Sequence, residues 1–80
     1  MSVKLVFLGR LEDAAGGAER VVETVASLDL LLSRLEPELA DALSAERIKL
    51  ALNGTLISDR NLLTLRDGDE LAFLPPVSGG

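Results

Sequence analysis

The chain has no cysteine and no histidine, so it can offer no disulfide, no thiolate and no imidazole. These absences remove the usual covalent nucleophile, the usual general base at neutral pH and the commonest transition-metal ligands. A side chain of this protein is therefore a poor candidate for a reacting group, and we expect no metal site. Tryptophan and tyrosine are also missing, which leaves Phe7 and Phe73 as the only aromatic residues. A core must be aliphatic, drawn chiefly from eighteen leucines. Positive charge is scarce, with 8 Lys and Arg against 13 Asp and Glu and a net charge of −5. Nucleic acid is a poor partner for such a surface, whereas a basic protein surface suits it. No apolar run approaches the roughly 20 residues that cross a bilayer. Lys4 interrupts the first segment, so we expect neither a secretion signal nor a membrane anchor, and a cytoplasmic location.

What is present reads as one small α+β domain. Val3 to Leu8 alternates as a strand, with Val3, Leu5 and Phe7 on one face and Lys4, Val6 and Leu8 on the other. Leu11 to Ala15 predicts a helical turn closed by Gly16-Gly17, and Glu19 to Val25 predicts a second strand paired with the first. Ser27 suits an N-cap, Asp29 suits a first helical turn, and Leu28, Leu31, Leu32 and Leu35 form one helical face. This segment is expected to be the main helix. Pro37 disfavours helix at Glu36 but fits a first helical position, so a break and a second short helix through Leu39, Ala40 and Leu43 should follow.

Ile48 to Leu52 alternates again, and Asn53-Gly54 is the residue pair that a two-residue type I′ hairpin requires. Thr55 to Ile57 is the returning strand. Ser58 to Leu65 has no clear period, Asp67-Gly68-Asp69 marks a turn, and Glu70 to Leu74 is the closing strand. First and last strands can lie in parallel, joined through the helices, which gives a mixed sheet of about five strands. The carboxylate pairs Asp67 with Asp69 and Glu36 with Glu38 fit turn and surface positions better than acid–base work.

The last six residues differ in character from the domain of residues 1–74. Pro75 and Pro76 lack an N–H and hold φ near −65°, so they can neither extend a sheet nor continue a helix. Residues 75–80 are expected to leave as an extended arm of roughly 20 Å at about 3.3 Å per residue. Gly79 and Gly80 carry no side chain, so a narrow tunnel in another protein can admit them. By parity with the buried faces, Leu8 and Leu74 point away from the helices, and Leu56 beside the hairpin turn joins them. We expect these three to cluster at the end of the sheet from which the tail leaves and to anchor a partner there, since each apolar side chain buried contributes roughly 1.5 to 3 kcal/mol.

The order of elements, the size and the closing Gly79-Gly80 resemble the ubiquitin-like β-grasp superfamily. Asn53-Gly54, then Asp67-Gly68-Asp69-Glu70-Leu71, Phe73 and Pro75-Pro76-Val77-Ser78-Gly79-Gly80, are similar to the MoaD-like small subunits of molybdopterin synthase. Val3 to Gly9 followed by Arg10-Leu11-Glu12-Asp13-Ala14-Ala15-Gly16 is similar to that family too. Glu12 departs from its pattern, where arginine is expected, and Arg10 is the neighbouring cation.

The resemblance implies a sulfur carrier in molybdenum cofactor biosynthesis. An E1-like enzyme would use ATP to adenylate the carboxylate of Gly80, and a sulfur donor would convert the adenylate to a thiocarboxylate. The tail would then enter the large synthase subunit, in a heterotetramer, and give sulfur to cyclic pyranopterin monophosphate. Gly80 and Gly79 would be the reacting end, Pro75, Pro76, Val77 and Ser78 would contact the partner, and this chain would bind no cofactor. It would be catalytic only as part of the synthase. Three other readings stay open: a carrier for thiazole, cysteine or tRNA thiolation, a modifier joined to lysines, and an interaction domain with an inert tail.

Overall fold

The computed structural model describes residues 1–45 and 47–76. Five strands form one sheet: β1 (Ser2–Phe7), β2 (Glu19–Glu23), β3 (Lys49–Leu52), β4 (Thr55–Ile57) and β5 (Glu70–Leu74). Their order across the sheet is β2-β1-β5-β3-β4. The β1–β5 pair is parallel and the other three are antiparallel. Three helices, α1 (Leu11–Ala15), α2 (Leu28–Ser33) and α3 (Pro37–Ser44), accompany them, with a 3₁₀ turn at Arg60–Leu62. This is the mixed β-grasp sheet expected from the order of strand patterns.

Alternation along the strands decides what is buried. Val3, Leu5 and Phe7 of β1, Leu50 of β3, and Leu71 and Phe73 of β5 all lie in the core. Leu11, Leu28, Leu31, Leu39 and Leu43 close it from the helical side. Phe7 and Phe73 are paired in the parallel register, and their rings stack at 5.7 Å between centroids and 8° between planes. The two aromatic residues of the chain thus sit together at the middle of the sheet.

Ser27 caps α2 by accepting a hydrogen bond from the Leu30 amide at 3.2 Å. Pro37 opens α3, and Glu36 before it is extended at φ −55° and ψ 138°, the conformation that a following proline favours. The helix expected to be the main one is the shorter of the two, with 6 residues in α2 against 8 in α3. Arg20 of β2 holds the break from outside, donating to both carboxylate oxygens of Glu36 at 2.8 and 3.1 Å and to the Ala15 carbonyl at 2.8 Å. That pair raises the Arg20 pKa and lowers that of Glu36.

Strand ends are set by their partners. β2 stops at Glu23, short of the expected Val25, because its neighbour begins at Ser2, which pairs with Glu23. Ile48 stands before β3 because Lys49 already faces Leu74, the last residue of β5. Leu8 falls just past β1, although its amide still donates to the Phe73 carbonyl at 3.2 Å. The segment without a clear period is tied by the 3₁₀ turn, a Ser27–Thr64 bridge and a bond from the Leu65 amide to the Ala26 carbonyl.

Candidate functional site

The helices cover one face of the sheet; the other face is built from the residues between the buried ones. Register fixes their order across the strands. Val6 of β1 pairs with Ala72 of β5, Ala72 with Ala51 of β3, and Ala51 with Leu56 of β4. Directly paired residues share a face, so Val6, Ala72, Ala51 and Leu56 make a continuous apolar row across four strands. Two residues further along β5, Leu74 lies beside the same row, opposite Lys49.

Leu8 is 41 % exposed and Leu56 67 % exposed, while Leu74 is half-buried. The structure brings Leu8 and Leu74 to the ends of adjacent strands, where the tail departs. Leu56 lies apart from them at the β4 edge, two strands from β5, which is roughly 10 Å at about 4.8 Å per strand. Val6, Ala72 and Ala51, all half-buried, bridge that gap. Sequence parity with Leu8 and Leu74 already places Val6 and Ala72 on this face. Ala51 has no such signal, because its role depends on the β3–β5 register. Leu62, 78 % exposed, borders with Leu56 and Leu52 a shallow groove of about 400 Å³ beyond the β4 edge.

Charge limits the row on the β2 side. Lys4 lies 3.4 Å from Glu19 and 3.8 Å from Glu70, a partly exposed set that contributes little to stability. An apolar centre with such a rim is the composition of a protein-binding surface, and contiguous exposed apolar area marks interaction sites.

The tail begins at the end of β5. Pro75 and Pro76 are half-buried, so the first two residues after the strand rest against the domain. Pro76 lines a cleft of about 620 Å³ with Arg10, Leu11, Ala14, Arg47 and Ile48. Val77, Ser78, Gly79 and Gly80 lie outside the described residues.

No side chains in the cleft or on the sheet face, among the described residues, are arranged as a catalytic group. Among the described residues no cluster of three or more potential metal ligands occurs. The carboxyls with perturbed acidity among the described residues, Glu36 and Asp69, are held down by neighbouring donors in structural roles. Asp69 accepts from the Asn53 side chain at 3.0 Å and from the Arg66 amide at 2.9 Å, while the Glu70 amide donates to Asn53 at 3.0 Å. The Asp67-Gly68-Asp69-Glu70 motif therefore ties the β3–β4 hairpin to the start of β5.

Known proteins share this organisation. The chain is 34% identical to the molybdopterin synthase sulfur carrier subunit of Escherichia coli, over 98% of this chain and 99% of that one. It is 30% identical to a chain in the protein–protein complex of subunits 1 and 2 of the molybdopterin-converting factor from Helicobacter pylori, with a TM-score of 0.69 and 100% of both chains covered. The small archaeal modifier protein 1 from Methanosarcina acetivorans is also 30% identical, with a TM-score of 0.74 over 99% of this chain and 96% of that one. The ThiS family matches residues 5–80, nearly the whole length, and the chain belongs to it.

Proposed function

We propose that this protein is the sulfur carrier of a molybdopterin synthase, charged at the carboxylate of Gly80. The observation that carries this reading is the likeness of the whole chain to the Escherichia coli sulfur carrier subunit. An apolar row running to the strand that releases the tail supports it, because such a surface can dock a partner while the tail reaches inward. The Helicobacter pylori complex is a precedent for pairing with a second subunit.

A free terminal carboxylate has a pKa of about 3.3 to 3.7, so it is ionised at neutral pH and resists nucleophilic attack. Activation by an E1-like enzyme joins it to AMP from ATP and releases pyrophosphate. A sulfur donor then displaces AMP and leaves a thiocarboxylate. Docking through Leu8, Leu56 and Leu74 delivers the loaded tail to the large subunit, where its sulfur passes to cyclic pyranopterin monophosphate. Pro75 and Pro76 restrict the arm before it is threaded, which lowers the entropy lost on binding. Val77 and Ser78 contact the tunnel wall, and Gly79 gives the clearance a pocket needs to approach the main chain. ATP belongs to the activating partner.

Reconstitution tests this pathway. The thiocarboxylated chain, mixed with a molybdopterin synthase large subunit and the pyranopterin precursor, should yield molybdopterin, and the uncharged chain should not. A charged chain that yields none with an active large subunit would contradict it. The likeness to the small archaeal modifier protein favours one second reading, in which Gly80 is joined to lysines of other proteins. Lysine conjugates recovered from cells, and abolished by deleting Gly80, would support that reading.

A further inference from the structure

We propose that Gly9 is a positioning residue for the tail: the Pro75 ring rests on its bare α-carbon, which sets the direction in which the chain leaves β5. This rests on the reading that the tail is delivered into a partner's active site. Gly9 directly follows Leu8, whose amide donates to the Phe73 carbonyl, and its own carbonyl accepts from the Glu12 amide at the start of α1. The ends of β1 and β5 are thereby held side by side, and the next residues of each strand converge. A β-carbon on Gly9 would lie 2.9 Å from Cγ of Pro75, closer than carbon atoms approach without displacement.

The demand at Gly9 is more than conformational. Its φ is +56°, close to the +51° at which this chain accepts asparagine at position 53. Gly16, Gly54 and Gly68 also have positive φ, but a β-carbon on any of them would meet nothing within 4 Å. Gly9 alone of these four faces the tail. Proline has no flexible side chain to swing aside, because its ring is fused to the backbone. Ring pucker can carry Cγ away by only a fraction of an ångström, so a β-carbon at position 9 pushes on the main chain at residue 75 or on its own segment after β1. Pro76 lines one cleft with Arg10, Leu11 and Ala14, so a shift of residue 75 also changes the wall of that cleft. Misplacing a reacting group by about 1 Å can slow a reaction about a hundredfold.

The test follows thiocarboxylate formation with the activating enzyme, ATP and a sulfur donor. Gly9→Asn supplies a β-carbon with the lesser backbone strain at this φ, Gly9→Ala supplies it with the greater, and Gly68→Ala supplies strain at a position away from the tail. Both Gly9 variants should lower kcat by about tenfold or more with little change in KM, since the substitution alters the base of the tail and leaves the exposed side chains of the sheet in place. Gly68→Ala should lose thermal stability and keep its kcat. Adding Pro75→Ala to either Gly9 variant removes the opposing ring atom, and should return kcat to that of Pro75→Ala alone. An NMR contact between the Gly9 α-protons and the Pro75 ring is required whichever enzyme is used. A wild-type chain that takes sulfur while Gly9→Asn keeps full kcat, or a missing contact, overturns the inference alone. A wild-type chain that takes no sulfur from an active system overturns the functional reading and the inference with it.

Discussion

Asn53 and Asp69 join two turns that are distant in the sequence, and their bond gives the acid response of the fold a definite sign. The Asp69 carboxyl is held below its ordinary value of 3.8, first by the hydrogen bond from the Asn53 side chain and then by the Arg66 amide. A carboxyl with a lower pKa in the folded state than in the unfolded one binds fewer protons when folded. Its stabilisation is fully present above the unfolded value and disappears as pH falls through the folded one. Denaturant melts from about pH 6 to about pH 2 should therefore show wild-type stability dropping below about pH 4. Asp69→Asn should flatten that drop, and a parallel curve for the variant would contradict the assignment. The turn residues were legible because asparagine, aspartate and glycine have few other reasons to fall in that order. The bond between them was not, since it needs two turns that only the folded sheet brings together.

The closing strand β5 lies between β1 and β3 and contributes both to the core and to the apolar row proposed for docking. Leu71 and Phe73 are fully buried on one side, and Ala72 and Leu74 are half-buried on the other. Phe73→Ala should cost about 3 to 5 kcal/mol, because it empties space against Phe7 and the helices. Chemical denaturation measures that loss, and a loss below about 1 kcal/mol would mean the ring is not central. Ala72→Arg places a long cation in the middle of the apolar row while leaving the buried side untouched. It should keep most of the stability and weaken binding to the large subunit at least tenfold, or about 1.4 kcal/mol. Calorimetric titration showing unchanged affinity would remove the row from the interface. β4 and β5 were legible to the residue because turns bound them on the sequence side. The ends of β2 and β3 were not, because a partner strand running out leaves no mark on the strand it abandons.

Across the whole molecule, the apolar row reaches Leu74 at the end of β5, where Pro75 begins the tail, so under the proposed function docking and delivery would share one end of the sheet. The acidic balance, with a net charge of −5, adds long-range attraction to a basic partner and makes association sensitive to salt. The β-grasp order was legible because five short patterns, one hairpin pair and the parallel first and last strands leave few alternatives. The apolar row was legible in part: parity placed Val6, Leu8, Ala72 and Leu74 on this face and the hairpin turn pointed to Leu56, whereas Ala51 and the continuity of the row depend on registers between strands distant in sequence. Gly9 carried no signal of its contact with Pro75 for the same reason. Whether Gly80 accepts sulfur can be read from the intact mass of the protein. After incubation with an E1-like enzyme, ATP and a sulfur source, the protein should gain the mass difference between one sulfur and one oxygen, and the gain should vanish when Gly80 is deleted. An unchanged mass, with an enzyme that charges another carrier in the same mixture, would contradict the account.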